Sequence, residues 1–322
     1  MLEIPYGVWG CGGHAVDAHC VHNKEVPKMI LAGVCDTNAS AMKRYCQNYG
    51  SDVPRFKNHY DLLRSGIKAV LIATPDRFHP DHLREALVAG LHVMIEKPLA
   101  IDKRGYFEIV EGLRYARTRN LVVTSCHPRR FDPPFVWLKN SLPSLTDRLG
   151  PVLGFHYDFV YHKPSMGWKT RRSLMLDHAG HEIDLVSFLF GRIPFSAESH
   201  DDSFDRYLVT GQRKDGIRFS FHGTRRMEER VFLEWMTVRF EFGSVTVNTE
   251  TGIATVENTR SNKISQRKCG ATDYRIRSVG VIRNFADTIT GAKPNYLTPE
   301  DLELNNSLGI WLRENGSYTY SG

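Results

Sequence analysis

The amino-acid sequence contains no apolar run of membrane-spanning length, no Cys-x-x-Cys pair, no block of five or more like charges and no repeat or low-complexity segment. Each absence removes a class of protein. A spanning helix needs about 20 consecutive apolar residues, and Met1-Leu-Glu-Ile-Pro5 lacks the charged and apolar regions of a secretory signal. The six cysteines (Cys11, Cys20, Cys35, Cys46, Cys126 and Cys269) are scattered, and five of them fall in apolar stretches. They read as small buried hydrophobes of a reduced compartment, with neither a disulfide framework nor a metal site. The 42 basic residues outnumber the 36 acidic ones to give +6, spread along the chain. That balance suits a small anionic ligand such as a dinucleotide, and not a nucleic acid or a membrane surface. The expectation is a soluble, cytoplasmic protein.

What the chain does have is alternation. At 322 residues it is long enough for two domains, each with its own core, here expected at residues 1–126 and 127–322. Ile4–Trp9, Met29–Cys35, Val53–Phe56, Ala69–Ala73, Val93–Ile95 and Leu121–Ser125 read as strands. Helical patterns separate most of them: one after Gly10, then Ala39–Tyr49 stopped by Gly50, Tyr60–Arg64, Pro80–Ala89, and a helix capped by Asp102 that runs to about Arg117. Strand and helix in strict turn specify a doubly wound parallel sheet, the Rossmann arrangement. Ligands bind outside the carboxyl ends of such strands.

Those ends carry polar residues in a recognisable order. Gly10-Cys-Gly-Gly-His-Ala15 fits G-x-G-x-x-G/A between strand and helix. Gly10 permits a tight turn, Gly12 a close approach to a pyrophosphate and Ala15 close helix packing, while Gly13 and His14 lie in the same loop. The helix start then offers free N–H groups to phosphates. Asp36 closes the second strand, where a carboxylate holds a ribose diol. Thr37 and Asn38 follow it in place of a cation, which favours NAD over NADP, although Lys43 and Arg44 stand one helix turn later. Thr74, Pro75 and His79 follow the fourth strand, and Glu96 and Lys97 follow the fifth. All are candidate cofactor-binding residues. On position alone Lys97 is either the chemical centre or a surface lysine closing a turn before Pro98.

Ala73-Thr-Pro-Asp-x-x-His79 together with Ala89-Gly-Leu-His-Val-Met-Ile-Glu-Lys-Pro98 resembles the signature of the Gfo/Idh/MocA family of NAD(P)-dependent oxidoreductases. The resemblance implies enzymes that act mainly on sugars, cyclitols and nucleotide-linked sugars. It also implies a Rossmann domain joined to an α+β domain with a large, open, mostly antiparallel sheet. Lys97 would then act at the reacting hydroxyl or carbonyl, with its peptide bond to Pro98 in the cis form.

Arg129-Arg-Phe-Asp-Pro133 resembles the family segment that enters the second domain, where an arginine reaches the substrate; His127-Pro128 precedes it where an asparagine is common. Arg129 or Arg130 is equally readable as an interface ion pair. In Leu176-Asp-His-Ala-Gly-His-Glu-Ile-Asp-Leu185, the residues Asp177, His181 and Asp184 fall on one face of an otherwise apolar helix. Such a stripe is either a satisfied polar core or a catalytic set. Asp-x3-His-x2-Asp is similar to the family's second motif, which implies that Asp177 and His181 act with Lys97; Ala179 and Gly180 depart from the usual pattern. Val152–Val160 reads as a strand leading into the loop Tyr161–Arg172. There the resemblance makes His162 a polyol contact, and Trp168 is a candidate to stack on a sugar face.

After Pro194 the pattern is one of antiparallel hairpins, with Thr259–Thr272 as a polar loop. Helices at Val279–Thr290 and Pro299–Arg313 are expected to pack back between the domains, the C-terminal one on the first domain. The sequence therefore points to a dehydrogenase acting between a nicotinamide cofactor and a sugar or cyclitol alcohol, in a homodimer or homotetramer assembled through the C-terminal sheet. A nucleotide-sugar ketoreductase, with Arg171 and Arg172 on a diphosphate, and a non-catalytic dinucleotide-binding regulator are the alternatives.

Overall fold

The computed structural model describes residues 2–162, 173–225 and 232–322; Trp168, Arg171 and Arg172 lie outside them. Its contacts divide the chain into two units. Met1–Pro128 and Tyr274–Asn306 form the first, Arg129–Asp273 and Ser307–Gly322 the second. No helix among the described residues is long and apolar enough to cross a membrane.

In the first unit, β1 (Ile4–Trp9), β2 (Met29–Cys35), β3 (Arg55–Phe56), β4 (Ala69–Ile72), β5 (His92–Ile95) and β6 (Val123–Ser125) make a parallel sheet in the order β3-β2-β1-β4-β5-β6. Every residue of β4 is buried, as expected of a strand covered on both faces. The connecting helices are α1, which is π-helical over Ala15–Cys20 and α-helical over Val21–Asn23, then α2 (Ala39–Tyr49), α3 (His59–Leu63), α4 (His79–Val88) and α5 (Lys103–Thr118). Their ends follow local chemistry. Asn38 accepts hydrogen bonds from Ser40 N and Ala41 N to start α2, Gly50 ends it at φ +82°, and Asp102 caps α5 through Gly105 N. The strand order reverses between β1 and β4, which places the ligand crevice at their carboxyl ends.

Helix α8 (Tyr274–Ile289) and the segment after it complete this unit. Lys28 Nζ meets Asp287 Oδ1 at 2.7 Å. The edge strand β6 is closed by side chains: Asn295 Nδ2 donates to Val123 O at 2.7 Å, and Tyr296 Oη donates to Ser125 O. Ala100 N donates to Asn306 Oδ1 at 3.0 Å. Asn306 lies within α9 (Pro299–Asn315), whose later residues group with the second unit.

The second unit is built on nine strands: β7 (Val152–Tyr161), β8 (Phe195–Ser203), β9 (Arg206–Arg213), β10 (Arg218–Thr224), β11 (Phe232–Phe240), β12 (Gly243–Asn248), β13 (Ile253–Asn258), β14 (Lys263–Lys268) and β15 (Ser317–Tyr320). They pair in the order β14-β13-β12-β11-β7-β10-β9-β8-β15. All neighbours are antiparallel except β7 and β10, in keeping with the mostly antiparallel sheet expected. Alternating burial along β10 and β12 gives the sheet one covered face, against which α6 (Pro133–Leu149) and α7 (Leu174–Phe190) pack. Thr259–Thr272 is not a loop throughout. Lys263–Lys268 pairs with β13 as an edge strand, all six of its side chains exposed. Backbone pairing is the main hold on such a strand, and its charges suit an edge.

Candidate active site

Most candidate site residues of the first unit lie at or just past the end of a strand. Gly10 sits at φ +98°, and a Cβ there would lie 2.6 Å from the Ala73 carbonyl carbon and 2.7 Å from Thr74 N. Only glycine lets the ends of β1 and β4 approach so closely. A Cβ at Gly12 or Gly13 would meet no described atom within 4 Å, so this loop borders open space. Asp36 braces the loop: Oδ2 accepts from Cys11 N at 2.7 Å and Oδ1 from Asn38 N at 2.8 Å. A carboxylate offers about four acceptor sites, so these bonds leave it able to accept from a diol.

At the end of β4, Thr74 Oγ1 lies 2.8 Å from His82 Nδ1, and His82 stacks on Trp9 with centroids 3.8 Å apart. Burial, then His79 and His59, push the His82 pKa down to about 4. His79 is buried between two carbonyl oxygens, Pro98 O at 2.8 Å from Nδ1 and Thr74 O at 2.9 Å from Nε2. Burial holds its pKa below the ordinary value, and a neutral ring donates to only one of the two. His79 thus ties the turn at Thr74 and Pro75 to the Lys97-Pro98 turn, whose peptide is cis.

Glu96 is 6% exposed. Its Oε1 lies 2.5 Å from His19 Nε2 and 3.2 Å from His14 Nε2, and its Oε2 accepts from Lys97 N at 3.2 Å. Burial would raise this pKa, but His14 and His19 outweigh it and hold the carboxyl well below the usual carboxylate range. Sequence reasoning missed His19, although its place four residues after Ala15 on α1 was visible. Lys97 follows directly, half-buried.

In the second unit, α7 carries Asp177 half-buried and His181 at 6% exposure. The third member of the expected stripe is engaged elsewhere. Arg130 grips Asp184 with both Nε (3.0 Å to Oδ2) and Nη2 (2.8 Å to Oδ1), which leaves Asp177 and His181 as the pair. His162 is the exposed end of β7's run. Arg129 is only 5% exposed, and its ion pair lies inside this unit: Nε donates to Glu234 Oε1, while Nη2 lies 3.0 Å from His178 Nε2.

An extended buried network follows from that arginine, and sequence reasoning had not assembled it. Arg129 can only donate, so His178 Nε2 accepts, and its Nδ1–H is directed at Glu182 Oε1, 2.7 Å away. Tyr207 Oη also donates to Glu182 Oε1, and Tyr157 Oη donates to Glu234 Oε1. The guanidinium thus meets Glu234 directly and Glu182 through His178. Glu234 is ion-paired, whereas burial pushes Glu182 up to about 8 despite Tyr207 and Arg129. An acid whose folded-state pKa exceeds its unfolded value binds more protons when folded. Stability should therefore be complete below the ordinary glutamate range near 4.5 and decline as pH rises through about 8. Urea midpoints across that window should fall for the protein and stay flatter for Glu182→Gln; identical slopes would contradict the assignment.

Residues 4–126 match the oxidoreductase family with an NAD-binding Rossmann fold, GFO_IDH_MocA. Residues 4–126 thus carry the NAD-binding domain of the Gfo/Idh/MocA oxidoreductases. An oxidoreductase of Formosa agariphila is 25% identical over 276 residues, spanning 79% of this chain and 82% of the relative. Inositol 2-dehydrogenase of Corynebacterium glutamicum is 28% identical over 199 residues, spanning 61% of this chain and 57% of that enzyme. Among solved structures, levoglucosan dehydrogenase in complex with NADH and levoglucosan superposes with a TM-score of 0.84 at 16% identity, over 99% of this chain and 100% of the other. The NAD-binding domain and the dehydrogenase relatives together mark an NAD-binding oxidoreductase.

Proposed function

We propose that this protein is an NAD-dependent dehydrogenase interconverting a secondary alcohol and a ketone on a sugar or cyclitol. The carrying observation is that the open glycine loop after β1, Asp36 after β2, Thr74 after β4 and Lys97 after β5 all stand at the carboxyl ends of one parallel sheet. The residues fit a dinucleotide: a loop with room above Gly12 and Gly13, and a braced carboxylate with acceptor capacity left over. The nicotinamide supplies the redox chemistry. This chain's residues then manage one proton and one developing negative charge. Lys97 hydrogen-bonds the reacting oxygen and favours its anionic form. His181 takes the proton in the oxidative direction, because imidazole titrates near neutrality, and Asp177 orients it. His162 contacts the polyol. The inositol 2-dehydrogenase relative supports this substrate class.

Nicotinamide absorbance over a panel of sugars, cyclitols and nucleotide sugars, run with both cofactors, tests the reading. NAD-linked turnover of a free sugar or cyclitol is expected, and turnover confined to nucleotide sugars, or none at all, counts against it. Asp36 should set the cofactor preference by accepting from the adenosine ribose and repelling a 2′-phosphate. Asp36→Ala should narrow the preference for NAD, and equal or tighter NADP binding by the unaltered protein would refute that role.

A further inference from the structure

Three ligand-type groups converge where α1 meets the end of β5. His14 Nε2, His19 Nε2 and a Glu96 carboxylate oxygen lie within 4.8 Å of one another. Both imidazoles direct Nε2 at the same oxygen, at 3.2 and 2.5 Å, and the two rings stand nearly perpendicular at 88°. Ligands on a tetrahedral zinc ion, with metal–ligand distances near 2.1 Å, sit about 3.4 Å apart. The His14–Glu96 pair already has that spacing, and the His19–Glu96 pair reaches it if the carboxylate moves by about 1 Å.

We propose that His14, His19 and Glu96 form a binding site for a divalent cation of the zinc class. Imidazole donors suit zinc, copper, iron or nickel, whereas magnesium and calcium take oxygen ligands. Three protein ligands leave a fourth position for water. Glu96 and His19 are buried, whereas the His14 side chain is 40% exposed and gives the ion a way in. Cys126 Sγ lies 3.9 Å from His19 Nε2. It is a neighbouring thiol, outside the ligand set proposed here. In the absence of metal the two imidazoles serve Glu96 as hydrogen-bond partners, so the cluster is stable in either state. The site goes beyond the dehydrogenase reading and does not depend on it.

The test is calorimetric titration of the full chain, stripped with a chelator and free of dinucleotide, with Zn²⁺ and separately with Mg²⁺. One Zn²⁺ per chain and no response to Mg²⁺ are expected. His14→Ala, a change at an exposed position, should weaken Zn²⁺ binding by at least about tenfold, the lower bound for disturbing even an outer partner of a metal site. Cys126→Ser should keep the affinity. Absence of Zn²⁺ binding, equal binding by His14→Ala, or loss of binding in Cys126→Ser would each overturn the proposal, the last because it would make this a thiolate site.

Discussion

Lys97→Ala and His181→Ala are each expected to cut turnover by roughly 10²–10⁴-fold, the range for a positioned acid–base group, while NAD affinity stays largely intact. The double variant should be little worse than the poorer single one. Groups that serve one reacting oxygen act as a unit, and removing either leaves little for the other to lose. Lys97 follows a buried strand, β5, and His181 is itself 6% exposed on α7, so neither has the setting of an incidental surface residue. Stopped-flow or steady-state rates on the substrate found in the panel, together with NAD titration by fluorescence, provide the measurement. If either single variant keeps near-full turnover, or if the two losses multiply, the shared-oxygen mechanism is wrong and the helix stripe is structural.

The second large effect is on stability. Glu234→Ala should cost about 3–5 kcal/mol, because it leaves the Arg129 guanidinium buried without its counter-charge. Glu234 is 0% exposed and Arg129 is 5% exposed, so solvent cannot take over that role. Replacing both ends of a buried pair with apolar residues is often neutral, so Arg129→Met with Glu234→Leu should recover much of the loss. Urea unfolding of the parent and the two variants gives the comparison, and a Glu234→Ala variant as stable as the parent would contradict the pair's importance. The double variant also separates two roles for Arg129. If it folds and turns over normally, the arginine holds the interior of its unit; if it folds and is inactive, the arginine also serves the substrate.

What the sequence revealed tracks how local each signal is. Gly10, Asp36 and Lys97 could be read because each belongs to a strand end with its own turn chemistry, and the apolar runs of β1, β2, β4 and β5 placed those ends within a residue or so. Helix α7 was legible for the same reason, from its apolar content and the stop at Gly191. Partnerships were not. Arg129 finds Glu234 105 positions away, and His19 finds Glu96 77 positions away, and no periodicity encodes such distances. The Asp177, His181 and Asp184 stripe was a correct geometric inference that Arg130 then divided. Strand β14 escaped detection because all its side chains are exposed; backbone pairing leaves no trace in the pattern of apolar residues.

The side chains that close β6 have a consequence for biosynthesis. Val123 O and Ser125 O receive their partners from Asn295 and Tyr296, 172 and 171 residues later in the chain. A ribosome adding about 5–20 residues per second therefore presents the sheet's β6 edge for on the order of ten seconds or more before its cover is made. During that interval the nascent Rossmann sheet has an open flank, the feature that templates pairing between chains. The nascent chain carries that open flank through the making of every strand of its second sheet except β15, and the first unit to begin folding is not the first to be finished.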